Sequence, residues 1–141
     1  MVLDLATARG ILDGCLSRAG EMRLRPITVA VVDAGGHLLA LARQDGASTL
    51  RPEIAQGKAK GAVAMGLGSR ALFVRAESQP YFIQAMNALA GGALVPVPGG
   101  VLIRRGSVIL GAVGITGDSS DNDEACAVAA IEAAGLEADT G

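Results

Sequence analysis

Two groups of residues in this chain are able to do chemistry, and they lie far apart in the sequence. The first is a run of oxygen donors: Asp118, Asp121, Asp123 and Glu124 fall within seven residues, directly after Gly111-Ala112-Val113-Gly114-Ile115-Thr116-Gly117. The second is a scatter of single proton carriers, Lys58, Tyr81 and His37, the sole histidine. Asp118 or Glu124 with His37 or Lys58 would make a general acid–base set if folding brought them within hydrogen-bond reach. A glycine-rich turn into a helix often cradles phosphate. Here four carboxylates would repel it, and neither G-x-G-x-x-G nor a G-K-[ST] ending is present. The acids also lack calcium-loop spacing. They suit a helix start, where Ser120 can cap free amides and the positive end of the helix dipole favours anions.

Placing these residues requires a sheet and several helices. Val101-Leu102-Ile103 and Val108-Ile109-Leu110 read as a hairpin, with Gly106 free to take φ > 0 in the turn. The second strand runs on through glycines at every third position, which let another backbone, a helix or a ligand come close. The alanine-rich helix that follows, to Ala134, has the small side chains to lie against it. Earlier in the chain, Ile27–Val32 and His37–Ala42 read as another antiparallel hairpin around Asp33-Ala34-Gly35-Gly36. The apolar spacing between Leu3 and Ala19 predicts an amphipathic helix. A second helix, capped by Ser48 or Thr49 and with Pro52 in its first turn, carries Lys58 and ends at Gly66. Gly57 and Gly61 form a stripe on it where a neighbouring backbone can approach. Short helices follow from Ser69 to Glu77 and from Pro80 onward, and Ala93–Pro98 is extended, its two prolines confining it to a sheet edge or a loop.

These elements describe an α+β domain with an antiparallel sheet and packed helices, one domain across residues 1–141. Half the residues are apolar but only Phe73, Tyr81 and Phe82 are aromatic, so the core is built from Ala, Val, Leu and Ile. The net charge of −2, without long runs of either sign, excludes an electrostatic footprint for nucleic acid or an anionic membrane. No export signal or membrane-length apolar run is visible, which points to the cytoplasm. Cys15 and Cys126 match no zinc or redox spacing and read as packed, reduced thiols.

Four segments together resemble the GlcG/HbpS family, also found as the C-terminal module of PduO-type proteins: V-A-V-V-D-A-G-G-H-L-L-A at 29–40, the helix with Lys58-Ala59, V-P-G-G-V at 97–101, and G-A-V-G-I-T-G-D-S-S-D-N-D-E-A at 111–125. The likeness runs from about residue 3 to 136. It implies a profilin-like antiparallel sheet of about five strands with flanking helices, assembled as a homo-oligomer, commonly an octamer. It also implies binding of haem or a related tetrapyrrole by some members, and a place in catabolic gene clusters.

Haem is usually held by an axial His, Cys, Met or Tyr. His37 therefore has two readings, one as a ligand and one as a ring packed over the turn glycines. Lys58, Arg104 and Arg105 can pair a propionate or another small carboxylate, or simply be solvated. Tyr81, Phe82 and Met86 can wall a flat ligand, or serve the core or a subunit interface. The leading reading is a small-ligand-binding oligomer for haem or another planar, carboxylate-bearing molecule. Its pocket would lie near Lys58, Tyr81, Gly99, Gly100, Gly117 and Asp118. An enzyme or accessory protein acting on a small catabolic intermediate, and a structural oligomer without a ligand, are the alternatives.

Overall fold

In the computed structural model, which describes residues 1–141, the two hairpins merge into one sheet. Strands β1 (Thr28–Asp33) and β2 (Leu38–Arg43) form the first hairpin, β3 (Gly100–Arg105) and β4 (Val108–Thr116) the second. β1 pairs antiparallel with β4, from Thr28↔Thr116 to Asp33↔Gly111. A short strand β5 (Glu137–Asp139) closes the far edge, giving the order β2-β1-β4-β3-β5 with every pairing antiparallel. Of the two places the prolines allow the segment at 93–98, a sheet edge or a loop, it takes the loop.

Helices cover both faces of the sheet, which is why β1 is an unbroken apolar run rather than an alternating one. One face sends Val29, Val31, Val101, Ile103, Val113 and Ile115 into the main core. There they meet α1 (Leu5–Glu21) and α5 (Ser120–Ala133). The other face packs Val32, Leu102 and Ala112 against Ala59 and Ala62 of α2 (Arg51–Met65). Each fully buried Val or Ile side chain contributes about 1.5–3 kcal/mol, so aliphatic residues alone sustain this core.

The glycine-rich strand admits helices on both faces: α5 packs over Val113 and Ile115, and α2 makes the closest approach at Gly114. A methyl group on Gly114 would fall on the carbonyl oxygen of Ala55. The alanines of α5 also serve its contact with α1, where a methyl on Gly14 would stand 3.5 Å from Ala130 Cβ. The Gly57–Gly61 stripe is a seam for the loop at 94–95: Val95 N–H donates to the Gly57 carbonyl at 3.2 Å, and a methyl on Gly61 would lie 3.1 Å from Leu94 Cα.

Outside this sandwich, α3 (Ser69–Ser78) and α4 (Pro80–Leu89) build a satellite cluster around Leu72, Ile83 and Leu94. All three aromatic residues are here, with Arg75 stacked 3.9 Å over Phe82. Two helix starts differ from the sequence reading. Ser119, one residue before Ser120, caps α5 by accepting the Asn122 amide at 3.2 Å. Neither Ser48 nor Thr49 caps α2; the Ser48 hydroxyl accepts from Arg51 Nε at 3.2 Å instead. Cys15 and Cys126 meet between α1 and α5, where Cys126 Sγ donates to the Cys15 carbonyl at 3.2 Å. Burial pushes the Cys126 thiol up to about 11 and Cys15 higher still. No helix is long and apolar enough to cross a membrane.

Candidate functional site

The most unusual group in the fold is a charged pair sealed in its interior. Lys58 lies mid-helix on α2, and its side chain is only 3% exposed. Its Nζ donates to the Ile115 carbonyl at 2.9 Å and stands 3.6 Å from Asp123 Oδ2. Asp123, itself 2% exposed, accepts the Asp118 amide on Oδ1 at 3.1 Å. Burial pushes the Lys58 ammonium down and the Asp123 carboxyl up, against the attraction of each for the other. Bare backbone is what makes room for the lysine. A methyl on Gly99 (φ +124°) would lie 2.9 Å from Lys58 Nζ and 2.6 Å from the Ile115 oxygen. Gly100 donates its amide to Ser69 Oγ at 2.7 Å, and that hydroxyl donates to the Val97 carbonyl at 2.6 Å. Gly117 (φ +142°) turns tightly against the Pro26 carbonyl.

Beside this pair opens a cleft of about 240 Å³, with apolar walls from Ile54, Val95 and Val97 and polar lining from Arg51, Thr116 and Asp118. Arg51 was not singled out by sequence, although one signal marks it. A cation in the first turn of a helix opposes the helix dipole, so it needs some other reason to be there. Its Nη1 donates to Thr116 Oγ1 at 2.7 Å. No carboxylate is within ion-pair distance of it.

The acidic run that looked reactive in sequence is neutralised from elsewhere in the fold. Arg70 binds Glu124 and Asp121, and Arg104 is taken by Asp139 at 2.6 Å. Asp118 accepts from the Asn122 side chain at 2.8 Å and from the Arg25 amide at 2.9 Å, and these bonds hold it well below the usual carboxylate range. Such a carboxyl is a poor general base near neutrality. Its folded-state pKa is depressed, so its contribution to stability is present above the usual value of 3.8 and is lost as pH falls below it. In acid-unfolding curves, Asp118→Asn will therefore flatten the limb below that value. An unchanged limb would mean the bonds to Asp118 do not persist in solution.

His37 is elsewhere. It lies beyond the Asp33 end of β1, whereas Thr116 and the cleft lie at the Thr28 end, five residues or about 16 Å along the strand. Proton transfer between His37 and Asp118 is excluded by that separation. The His37 ring rests on Gly35 with Nδ1 3.3 Å from Asp33 Oδ1, and its side chain is 82% exposed. Beside it is a hollow of about 280 Å³ lined by Val2, Leu3, Ala34, Ile109 and Leu110. Tyr81, on α4, does not line the Lys58 cleft and is 68% exposed. The structure thus gathers Lys58, Gly99, Gly100, Gly117 and Asp118 and leaves His37 and Tyr81 apart.

Comparison with known proteins gives one consistent picture. The family model described as haem degrading protein HbpS-like matches residues 3–132. The corrinoid adenosyltransferase PduO of Citrobacter freundii is 31% identical over 133 residues, which make up 94% of this chain and 39% of that protein. The chain thus spans about two fifths of the length of this curated relative. Among solved structures, the PduOC:haem complex aligns with a TM-score of 0.86 at 27% identity, covering 96% of this chain and 97% of that one. A double mutant of Streptomyces reticuli HbpS aligns with a TM-score of 0.80 at 26% identity, covering 94% of this chain and 87% of that one.

Proposed function

The chain belongs to the HbpS-like family of haem degrading proteins, and from that premise we propose that it is a small-ligand-binding protein whose ligand is haem or a related planar, carboxylate-bearing molecule. The observation that carries this reading is the likeness to the PduOC:haem complex over nearly the full length of both chains. His37 is the residue we assign to the iron. With Nδ1 turned to the Asp33 carboxylate, Nε2 is the nitrogen left for a metal, and a carboxylate behind the ring makes it a better ligand. The adjoining aliphatic hollow suits the edge of a tetrapyrrole. At about 280 Å³ it is smaller than the roughly 300 Å³ at which pockets for drug-sized ligands begin, so it would hold one edge of the ring and leave the rest outside it. Bound haem would supply an iron centre for ligand exchange or electron transfer.

The same reading makes the protein a homo-oligomer, and eight copies are the number the family resemblance suggests. Exposed apolar side chains on α3 and α4, among them Val74, Tyr81 and Leu89, support a buried interface there. Tyr81 then belongs to subunit packing. The test is a haemin titration followed by Soret absorbance. We expect a saturable, shifted band at one haem per chain or per two chains, lost in His37→Ala. A broad, unsaturated band that the variant does not change would sink the assignment.

A further inference from the structure

The cleft beside Lys58 holds a cation that the fold leaves without a counter-ion. We propose that it binds a short-chain monocarboxylic acid, with the carboxylate on Arg51 and the hydrocarbon chain against Ile54, Val95 and Val97. This site is distinct from the one assigned to His37 and rests on different observations. A guanidinium carries five N–H donors, and Arg51 uses two of them, one to Ser48 and one to Thr116. Three donors remain on Nη1 and Nη2, the pair of nitrogens that forms a two-point fork with a carboxylate.

The other charges of the cleft are already matched. Lys58 has Asp123 and the Ile115 carbonyl, and Asp118 has Asn122 and Arg25. Arg51 alone is unmatched. Thr28, the cross-strand partner of Thr116, adds a second unmet group: it is fully buried and its hydroxyl has no hydrogen-bond partner. Cross-strand partners share a face of the sheet, so this unmet hydroxyl lies on the face that carries Thr116, behind the lining of the cleft rather than in it.

Size and charge narrow the ligand. A volume of about 240 Å³ suits a molecule of few heavy atoms. The two carboxylates that line the cleft, Asp118 and Asp123, are paired with Arg25 and Lys58, so Arg51 is the one cation on offer: a second carboxylate finds no partner, while an aliphatic tail meets apolar walls. The selectivity is for one negative charge and a short apolar chain.

Butyrate titrated into the full chain, followed by backbone amide magnetic resonance, tests this. We expect saturable shifts at Arg51, Ile54, Val95 and Thr116, with butyramide and succinate each weaker by about tenfold or more. Arg51→Gln should weaken butyrate by at least about tenfold while leaving the haemin response as in the parent protein, so the two sites fail or stand separately. Arg51→Lys keeps the charge but not the fork, and provides the same comparison if the glutamine variant does not fold. The proposal is overturned by equal responses to butyrate and butyramide, by unchanged affinity in the Arg51 variants, by shifts confined to the His37 hollow, or by no saturation at all.

Discussion

Replacing Lys58 with Met will cost this protein about 3–5 kcal/mol of stability, and adding Asp123→Asn to the same chain will return part of that loss. The single change strands a carboxylate that is 2% exposed, with only the Asp118 amide to stabilise it, and removes the donor to the Ile115 carbonyl. The double variant carries no buried charge, and the neutral carboxamide introduced at position 123 still has an oxygen to accept the Asp118 amide. In a double-mutant cycle on urea unfolding, the coupling between the two sites should reach about 1–3 kcal/mol. If the double variant is as unstable as the sum of the singles, Lys58 and Asp123 do not act as a pair. Acid supplies an independent check. Losing the ammonium raises the Asp123 pKa further, so the folded variant takes up a proton that the unfolded chain has released. The Lys58→Met deficit must then shrink as pH falls toward the usual carboxylate range.

The second large effect is steric. Gly114→Ala will destabilise the fold by about 3 kcal/mol or more, because the added methyl meets the main chain of α2 at Ala55 and Ala59, and no rotamer change can relieve a clash with backbone. Gly10→Ala makes the opposite prediction from the same residue types. Gly10 lies mid-helix in α1 with nothing within 4 Å of the added carbon, so the variant should gain roughly 0.5–1 kcal/mol. Thermal melts of the two variants decide the matter together. A tolerated Gly114→Ala would mean that α2 can lift from β4, which would undo the account of why Lys58 is sealed.

Much of the architecture was legible because apolar runs and turn residues act locally. Both hairpins, the helix carrying Lys58 and the glycine turns at 66 and 106 fall where the sequence places them. β5 was not legible, since Glu137-Ala138-Asp139 is short, acidic and without β-branched residues. Its pairing is supported by Arg104, which reaches Asp139 from the neighbouring strand. The site was only partly legible, for a related reason. Sequence leaves Lys58 either in a ligand site or solvated, because its burial follows only from α2 meeting a strand with no side chain at Gly114. The lack of a counter-ion at Arg51 is a property of the assembled fold and is not written in the sequence. His37 and Asp118 share no element, and only the register of β1 against β4 shows that they stand at opposite ends of the sheet.

The meeting of Cys15 and Cys126 between α1 and α5 has a use that needs no engineering. Both thiols are fully buried and held in the protonated form, whereas alkylating reagents attack the thiolate. In the closed protein neither can react, so each iodoacetamide adduct records one excursion in which the two helices part. Where reclosing outruns alkylation, the labelling rate divided by that of the unfolded chain reads the free energy of opening at the main core. The chain thus carries its own clock for conformational breathing, and a ligand that slows it has tightened the whole domain.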